Sequence, residues 1–113
     1  MRLETKKYLH DIQEAAALVA EFTAGKRLAD YETDAMLRSA VERQFEIIGE
    51  ALAQLARLDE GVASQISDYH RIISFRNILI HGYADVDDQI VWDIVESKLP
   101  ALHREVRALL ERG

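Results

Sequence analysis

The stretch AVERQFEIIGEALAQL, residues 40–55, decides the fold of this chain. Its large apolar residues recur at steps of three and four, the spacing that gathers side chains on one face of an α-helix. Thr33 and Asp34 precede it and are residue types that cap helix N-termini. We therefore predict a long helix whose buried face consists of Val41, Phe45, Ile48, Leu52 and Leu55.

Similar apolar stripes lie on both sides of this helix. The earlier one is followed by Gly25, at a position favoured for a helix C-terminus, and it comprises Tyr8, Ile12, Ala15, Val19 and Phe22. A later helix starts near Ser67 or Asp68 and ends at Gly82, a residue able to adopt a left-handed turn. Its buried face would consist of Ile72, Phe75 and Leu79.

The last apolar stripe follows a cap at Asp85 or Asp87 and contains Pro100. Proline removes a backbone donor and crowds the preceding turn, but the apolar period continues through it, so we expect one long helix kinked near Pro100. No window alternates as a half-buried strand does. The chain is therefore predicted to be all α, a single domain over residues 1–113, arranged as an up-down four-helix bundle.

Composition excludes several classes of protein. The chain has no cysteine, which rules out disulfides and thiolate zinc sites. No apolar run reaches the length of a membrane span and no signal-peptide core follows Met1, so we expect a cytoplasmic protein without membrane contact. A net charge of −6 argues against a broad nucleic-acid-binding surface, yet it leaves room for one local basic cleft.

The segment RNILIHGY, residues 76–83, contains the groups that could carry chemistry. Arg76 can hold a phosphate bidentately, and His81 can give or take a proton near neutrality. Asn77 could orient His81 or contact a phosphate, and the Tyr83 hydroxyl could bond substrate or be modified. These are the groups needed to cleave RNA without a metal, and no cofactor or metal site is expected.

The geometry of this segment bears on whether one chain holds the whole site. On an ideal helix, Arg76 and His81 point about 140° apart, so either the helix loosens before Gly82 or the long arginine side chain reaches around it. One histidine is also few for both proton transfers, and a two-fold dimer would supply a second arginine and a second histidine to the same cleft.

Gly49, in the middle of a helix, predicts a close backbone approach, and Ile47 lies off the core stripe. Together they predict a second packing surface, which we expect to be the dimer interface. The charges that flank it, Arg43, Glu46 and Glu50, could pair with Arg76 or with the partner chain.

The chain resembles the HEPN superfamily, and within it the HepT-like toxins, whose motif Arg-x4-His-x-Tyr is matched by Arg76, His81 and Tyr83. Further similarity lies in residues 8–12, 40–51, 75–83 and 91–100. The resemblance implies a helical bundle that dimerises and can assemble further. It also implies a metal-independent endoribonuclease site between two copies, with Arg76 and His81 as catalytic residues.

The same resemblance implies a partner, a nucleotidyltransferase antitoxin that silences the toxin by adenylylating Tyr83. RNA would be the substrate. An alternative is a noncatalytic helical module that binds a nucleotide or regulates a nucleotidyltransferase, which suits the acidic surface. A purely structural bundle is the third possibility, and it predicts that Arg76 and His81 can be replaced without loss of anything except stability.

Overall fold

A computed structural model describes residues 1–82 and 86–113 as a bundle of helices. Within these ranges the helices are α1 (Leu3–Thr23), α2 (Leu28–Thr33), α3 (Ala35–Leu58), α4 (Glu60–Ala63), α5 (Tyr69–His81), α6 (Asp88–Ser97) and α7 (Leu99–Arg112). The all-α prediction is confirmed. None of the helices in the described ranges is long and apolar enough to cross a membrane.

The long helices run up and down, with α3 at the centre. Arg2 at the start of α1 donates a hydrogen bond to the carbonyl of Leu58 at the end of α3, so these two helices are antiparallel. Arg112 at the end of α7 likewise reaches Gln65, just before α5. α3 packs against both α1 and α5, and α7 closes the bundle against α1.

The core follows the predicted apolar stripes. Members of the α3 stripe are nearly or fully buried, and the same holds for most of the α1 stripe. Phe45 of α3 meets Phe75 of α5 edge to face, with 5.6 Å between ring centroids. Tyr31 of the short helix α2, where the sequence indicated only a turn, packs on Trp92 of α6. Burial of these faces is what fixes α5 on the bundle.

Several predicted helix ends are confirmed. Gly25, with φ of +72°, follows the end of α1 in the left-handed conformation that glycine adopts without strain. The Asp34 side chain accepts a hydrogen bond from the Leu37 amide and caps α3. Asp68 directly precedes α5, and Asp87 caps α6 by accepting from the Gln89 amide. Asp85, the other candidate cap, lies outside the described residues.

The kink expected near Pro100 is an interruption of the helix at one residue, Lys98. α6 ends at Ser97 and α7 begins at Leu99, so Pro100 lies in the first turn of a new helix. Proline is tolerated there because the first amides of a helix have no intrahelical acceptor. The apolar stripe nevertheless continues, since Leu99, Leu102, Val106 and Leu109 are all buried.

Candidate functional site

The helix that carries the motif is regular to its end. α5 remains α-helical through His81, and the Gly82 amide donates to the Ile78 carbonyl at 2.7 Å. The helix ends at Gly82 as predicted, but Gly82 has a φ of −114° and does not adopt the left-handed turn that glycine allows. Because the helix does not loosen, Arg76 and His81 keep the divergent directions that five helical steps impose.

Arg76 packs across the middle of α3 at Gly49. A Cβ atom built on Gly49 would overlap Arg76 Cβ and lie 2.7 Å from Arg76 Cγ, as well as 3.4 Å from the Ile72 carbonyl oxygen. The predicted close approach at Gly49 is therefore real, but its partner is α5 of the same chain. Gly49 is itself buried by this contact and offers no free surface for a second copy.

The Arg76 guanidinium is paired with a carboxylate of α3. Its Nη1 donates to Glu50 Oε2. The Arg76 side chain is only 16% exposed, whereas that of Glu50 is 54% exposed. Arg76 Nε is buried and finds no acceptor among the described residues. Arg76 is thus a largely desolvated cation held on one side by a carboxylate that faces solvent.

His81 and Asn77 lie on the exposed side of α5. In the part of the chain that the structure describes, no hydrogen bond or ion pair joins either of them to Arg76. His70 and Ser74, about two turns and one turn before Asn77 on α5, are exposed as well. Tyr83 lies outside the described residues, so its predicted role is not tested by the structure.

A groove of about 640 Å³ opens beside the Arg76–Glu50 pair, between α1, α3 and the end of α5. Each cation on its wall is matched by a carboxylate. Lys7 Nζ lies 3.0 Å from Asp11 Oδ2, and Arg43 Nη1 lies 3.4 Å from Glu46 Oε1. The groove is lined by Lys7, Tyr8, Asp11, Arg43, Glu46, Ile47, Glu50, Ala51, Gln54 and Ile80.

Acidic side chains continue along α3 beyond the groove. Burial raises the pKa of Glu42, and the carboxylates of Asp88 and Glu46 raise it further, while Arg38 opposes them. Glu42, Glu46 and Glu50 are spaced four residues apart and therefore share one face of α3. The Arg76 guanidinium therefore lies beside an acidic face of α3.

Two apolar side chains beside His81 are exposed. Ile78 is 54% exposed and Ile80 is 43% exposed, although both belong to the last turns of α5. Ile78 and Ile80 are two residues apart on α5, so they lie on different sides of the helix and do not form one surface. Ile80 lines the groove described above, whereas Ile78 does not.

The described residues contain no group of three or more acidic or imidazole side chains that could hold a metal ion. Asp87 and Asp88, which look like part of a metal cluster in the sequence, lie at the start of α6. Asp87 serves there as the N-cap.

A protein-family model described as "Ribonuclease HepT-like" matches residues 12–109, which include the whole segment from Arg76 to Tyr83. The chain belongs to the HepT-like ribonuclease family. Membership in this family confirms the resemblance stated above and agrees with the helical bundle described here.

Relatives of this HepT-like chain come from archaea and bacteria. It is 35% identical over 103 residues to "Putative RNase MJ1380" of Methanocaldococcus jannaschii, covering 91% of the chain and 94% of the relative. It is 34% identical over 102 residues to "Probable ribonuclease HepT" of Thermococcus cleftensis, covering 90% and 92%.

A third relative, from M. jannaschii, is named "Gamma-glutamylcyclotransferase and putative RNase MJ0434" and is 34% identical over 111 residues. That match covers 98% of the HepT-like chain but only 50% of the relative, so the chain spans about half the length of this protein. No solved structure matches the chain at a significant level.

The sequence names Arg76 and His81 as candidate catalytic residues of this HepT-like chain, and it predicts a second copy at Gly49, where the structure places Arg76 of the same chain. Glu50 is one of three charges predicted to pair with Arg76 or with a partner chain, and the structure singles it out as the partner of Arg76. A signal was present in the sequence, because a glycine followed directly by an acid in mid-helix can receive a long cationic side chain. Which helix supplies that cation depends on tertiary packing.

Proposed function

We propose that this protein is a metal-independent endoribonuclease that cuts RNA in a cleft shared by two copies of the chain. The observation that carries the proposal is the separation of Arg76 from His81. Arg76 turns toward α3 and Glu50, whereas His81 is exposed on another side of the same helix end. A two-fold partner packed against the exposed end of α5 would bring a second His81 and a second Arg76 to the same cleft.

Two histidines account for the two proton transfers that cleavage in such a cleft requires. One His81 imidazole accepts the proton of the ribose 2′-hydroxyl as the 2′-oxygen attacks phosphorus. The second His81, in its protonated form, donates a proton to the departing 5′-oxygen, leaving a 2′,3′-cyclic phosphate and a 5′-hydroxyl. Arg76 stabilises the extra negative charge on the phosphorane oxygens. Asn77, on the same exposed side as His81, would contact the phosphate or orient the imidazole.

The direct test is incubation of the purified protein with RNA in the presence of a chelator. We expect cleavage by the wild type, and a loss of roughly 100-fold or more for His81→Ala and Arg76→Ala. His10→Ala and His103→Ala are matched controls, because these histidines lie on α1 and α7 away from the motif, and they should cleave normally. Intact RNA, or equal cleavage by His81→Ala, would exclude the nuclease.

We further propose that the protein is the toxin of a toxin–antitoxin pair in the cytoplasm. Its partner would be a nucleotidyltransferase that adenylylates Tyr83, two residues after His81, and so fills the cleft with a bulky anionic group. Mass analysis after co-expression with a neighbouring nucleotidyltransferase gene should find an adenylyl adduct on Tyr83 and none on the Tyr83→Phe variant. An unmodified Tyr83 in an inactive complex would exclude this mode of control.

A noncatalytic nucleotide-binding or regulatory module for a nucleotidyltransferase is the second candidate. The observation that favours it is the groove beside Arg76, where Lys7 and Arg43 are each neutralised by a carboxylate. Such a wall attracts a long polyanion poorly. This candidate predicts that the protein binds a single nucleotide, that it does not cleave RNA in any assay, and that Arg76→Ala weakens nucleotide binding.

A further inference from the structure

We infer that Glu50 is a positioning residue of this site: it fixes the guanidinium of Arg76 and at the same time weakens the attraction of Arg76 for RNA. The inference rests on the proposed endoribonuclease function and assigns Glu50 a role that follows from its contact with Arg76 and its own exposure.

The Arg76 side chain is held in place by the packing of α5 against α3. Gly49 leaves no space for a Cβ next to Arg76 Cβ and Cγ, so the stem of the side chain is confined between α3 and α5. Only the guanidinium remains free to change direction. Glu50, the next residue on α3, accepts from Arg76 Nη1 and so determines where the guanidinium points.

Within the described ranges, the Arg76 guanidinium also lacks hydrogen-bond acceptors other than Glu50. Arg76 is mostly shielded from water, and a desolvated cation needs an acceptor to offset the solvation it has lost. Arg76 Nε finds none among the described residues, which leaves the Glu50 carboxylate as the acceptor observed for this guanidinium. Without Glu50, rotation of the guanidinium toward solvent would lower its free energy.

The negative charge of Glu50 also acts on an approaching RNA phosphate. The Glu50 side chain is more than half exposed and lines the groove of about 640 Å³ beside the pair. An RNA phosphate that approaches Arg76 through this groove meets the negative charge of Glu50 at short range. A neutral acceptor of the same shape would orient Arg76 equally well without repelling the phosphate.

Two substitutions separate these effects. Glu50→Gln keeps an oxygen acceptor and removes the charge, so kcat should stay within about threefold of wild type while KM for RNA falls about threefold. Glu50→Ala removes the acceptor as well, so kcat should fall on the order of tenfold or more because the guanidinium is no longer held. If Glu50 had only a structural role, the two substitutions would lower stability without affecting KM and kcat differently.

The control is Glu111, an acid that also pairs with an arginine, Arg107, but on α7 and not on the wall of the groove. Glu111→Ala should leave kcat at the wild-type value. The inference is overturned if Glu50→Ala cleaves RNA with wild-type kcat, or if Glu111→Ala loses as much kcat as Glu50→Ala.

A second measurement is independent of cleavage. Nitrogen-15 relaxation of the Arg76 side chain should show an ordered Nε–H bond in the wild type and Glu50→Gln, and a mobile one in Glu50→Ala. Equal order in all three proteins would overturn the inference. If the wild type does not cleave RNA, the proposed function fails, and the relaxation data still decide whether Glu50 positions Arg76.

Discussion

At the scale of single residues, the contact between Gly49 and Arg76 determines how closely α5 packs against α3. Alanine at position 49 would gain about 1 kcal/mol of helix propensity. Its Cβ would, however, overlap the Arg76 side chain, and forcing atoms into a packed contact costs about 1–3 kcal/mol. We expect Gly49→Ala to lower the free energy of unfolding in urea and to reduce RNA cleavage, because α5 must shift away from α3.

Gly61 provides the comparison for this substitution. It lies in the short helix α4, and a Cβ there would have Asp59 Oδ1 at 3.5 Å as its nearest neighbour, an ordinary contact. Gly61→Ala should therefore be neutral or slightly stabilising. If both alanine variants unfold at the same urea concentration as wild type, the close packing at Gly49 is refuted.

Glu42 gives a residue-scale prediction that depends on pH. Burial, with Asp88 and Glu46 nearby, raises its pKa above the ordinary value of 4.5. The folded state then holds the proton more tightly than the unfolded state, so stability falls as the pH rises through the unfolded and then the folded pKa. Glu42→Gln removes this penalty and should raise Tm at pH 7 by about 2–4 °C.

The sign of this effect can be checked by acidification. At about pH 3, well below the ordinary glutamate pKa of 4.5, Glu42 is almost fully protonated in both states, and the difference in Tm between Glu42→Gln and wild type should shrink toward zero. Glu14→Gln, at an exposed position of α1, is the control for the change from carboxylate to amide outside this acidic cluster. A stabilisation by Glu42→Gln that is equally large at both pH values would contradict the electrostatic cause.

At the scale of elements, the central helix α3 depends on its cap. The Asp34 carboxylate accepts from the Leu37 amide at 3.1 Å. Asp34→Ala should lower the free energy of unfolding by about 1 kcal/mol, since the amide loses its acceptor. Asp34→Asn, which retains a side-chain oxygen, should recover most of that loss in the same urea titration. Equal losses in the two variants would mean that the cap contributes little.

The helices themselves were largely predictable because their signals are local. Apolar spacing placed the buried faces, and Gly25, Asp34 and Asp87 marked ends that depend on neighbouring residues only. Gly82 and Pro100 were less informative. Gly82 can adopt a left-handed turn but has a φ of −114° here, and Pro100 fits both a kink and the first turn of a new helix.

At the scale of the whole molecule, the divergence of Arg76 and His81 followed from helical geometry, whereas the pairing of Arg76 with Glu50 did not. Positions 50 and 76 are brought together only when α3 and α5 pack, and sequence spacing carries no distance between separate helices. The groove beside them is likewise a product of three helices. The candidate catalytic groups could therefore be named from the sequence, but their environment could not.

The most direct test of the central claim is subunit mixing between the wild type and the inactive His81→Ala variant. The two proteins are purified separately and mixed under conditions that exchange subunits, and mass analysis verifies that mixed dimers form. A mixed dimer retains only one His81, whereas the proposed cleft uses one His81 from each chain, as base and as acid. A shared cleft therefore predicts that mixed dimers cleave RNA on the order of 100-fold more slowly than the wild type. Mixed dimers that keep about half of the wild-type activity would contradict a site built from two copies, because each chain would then carry a site of its own.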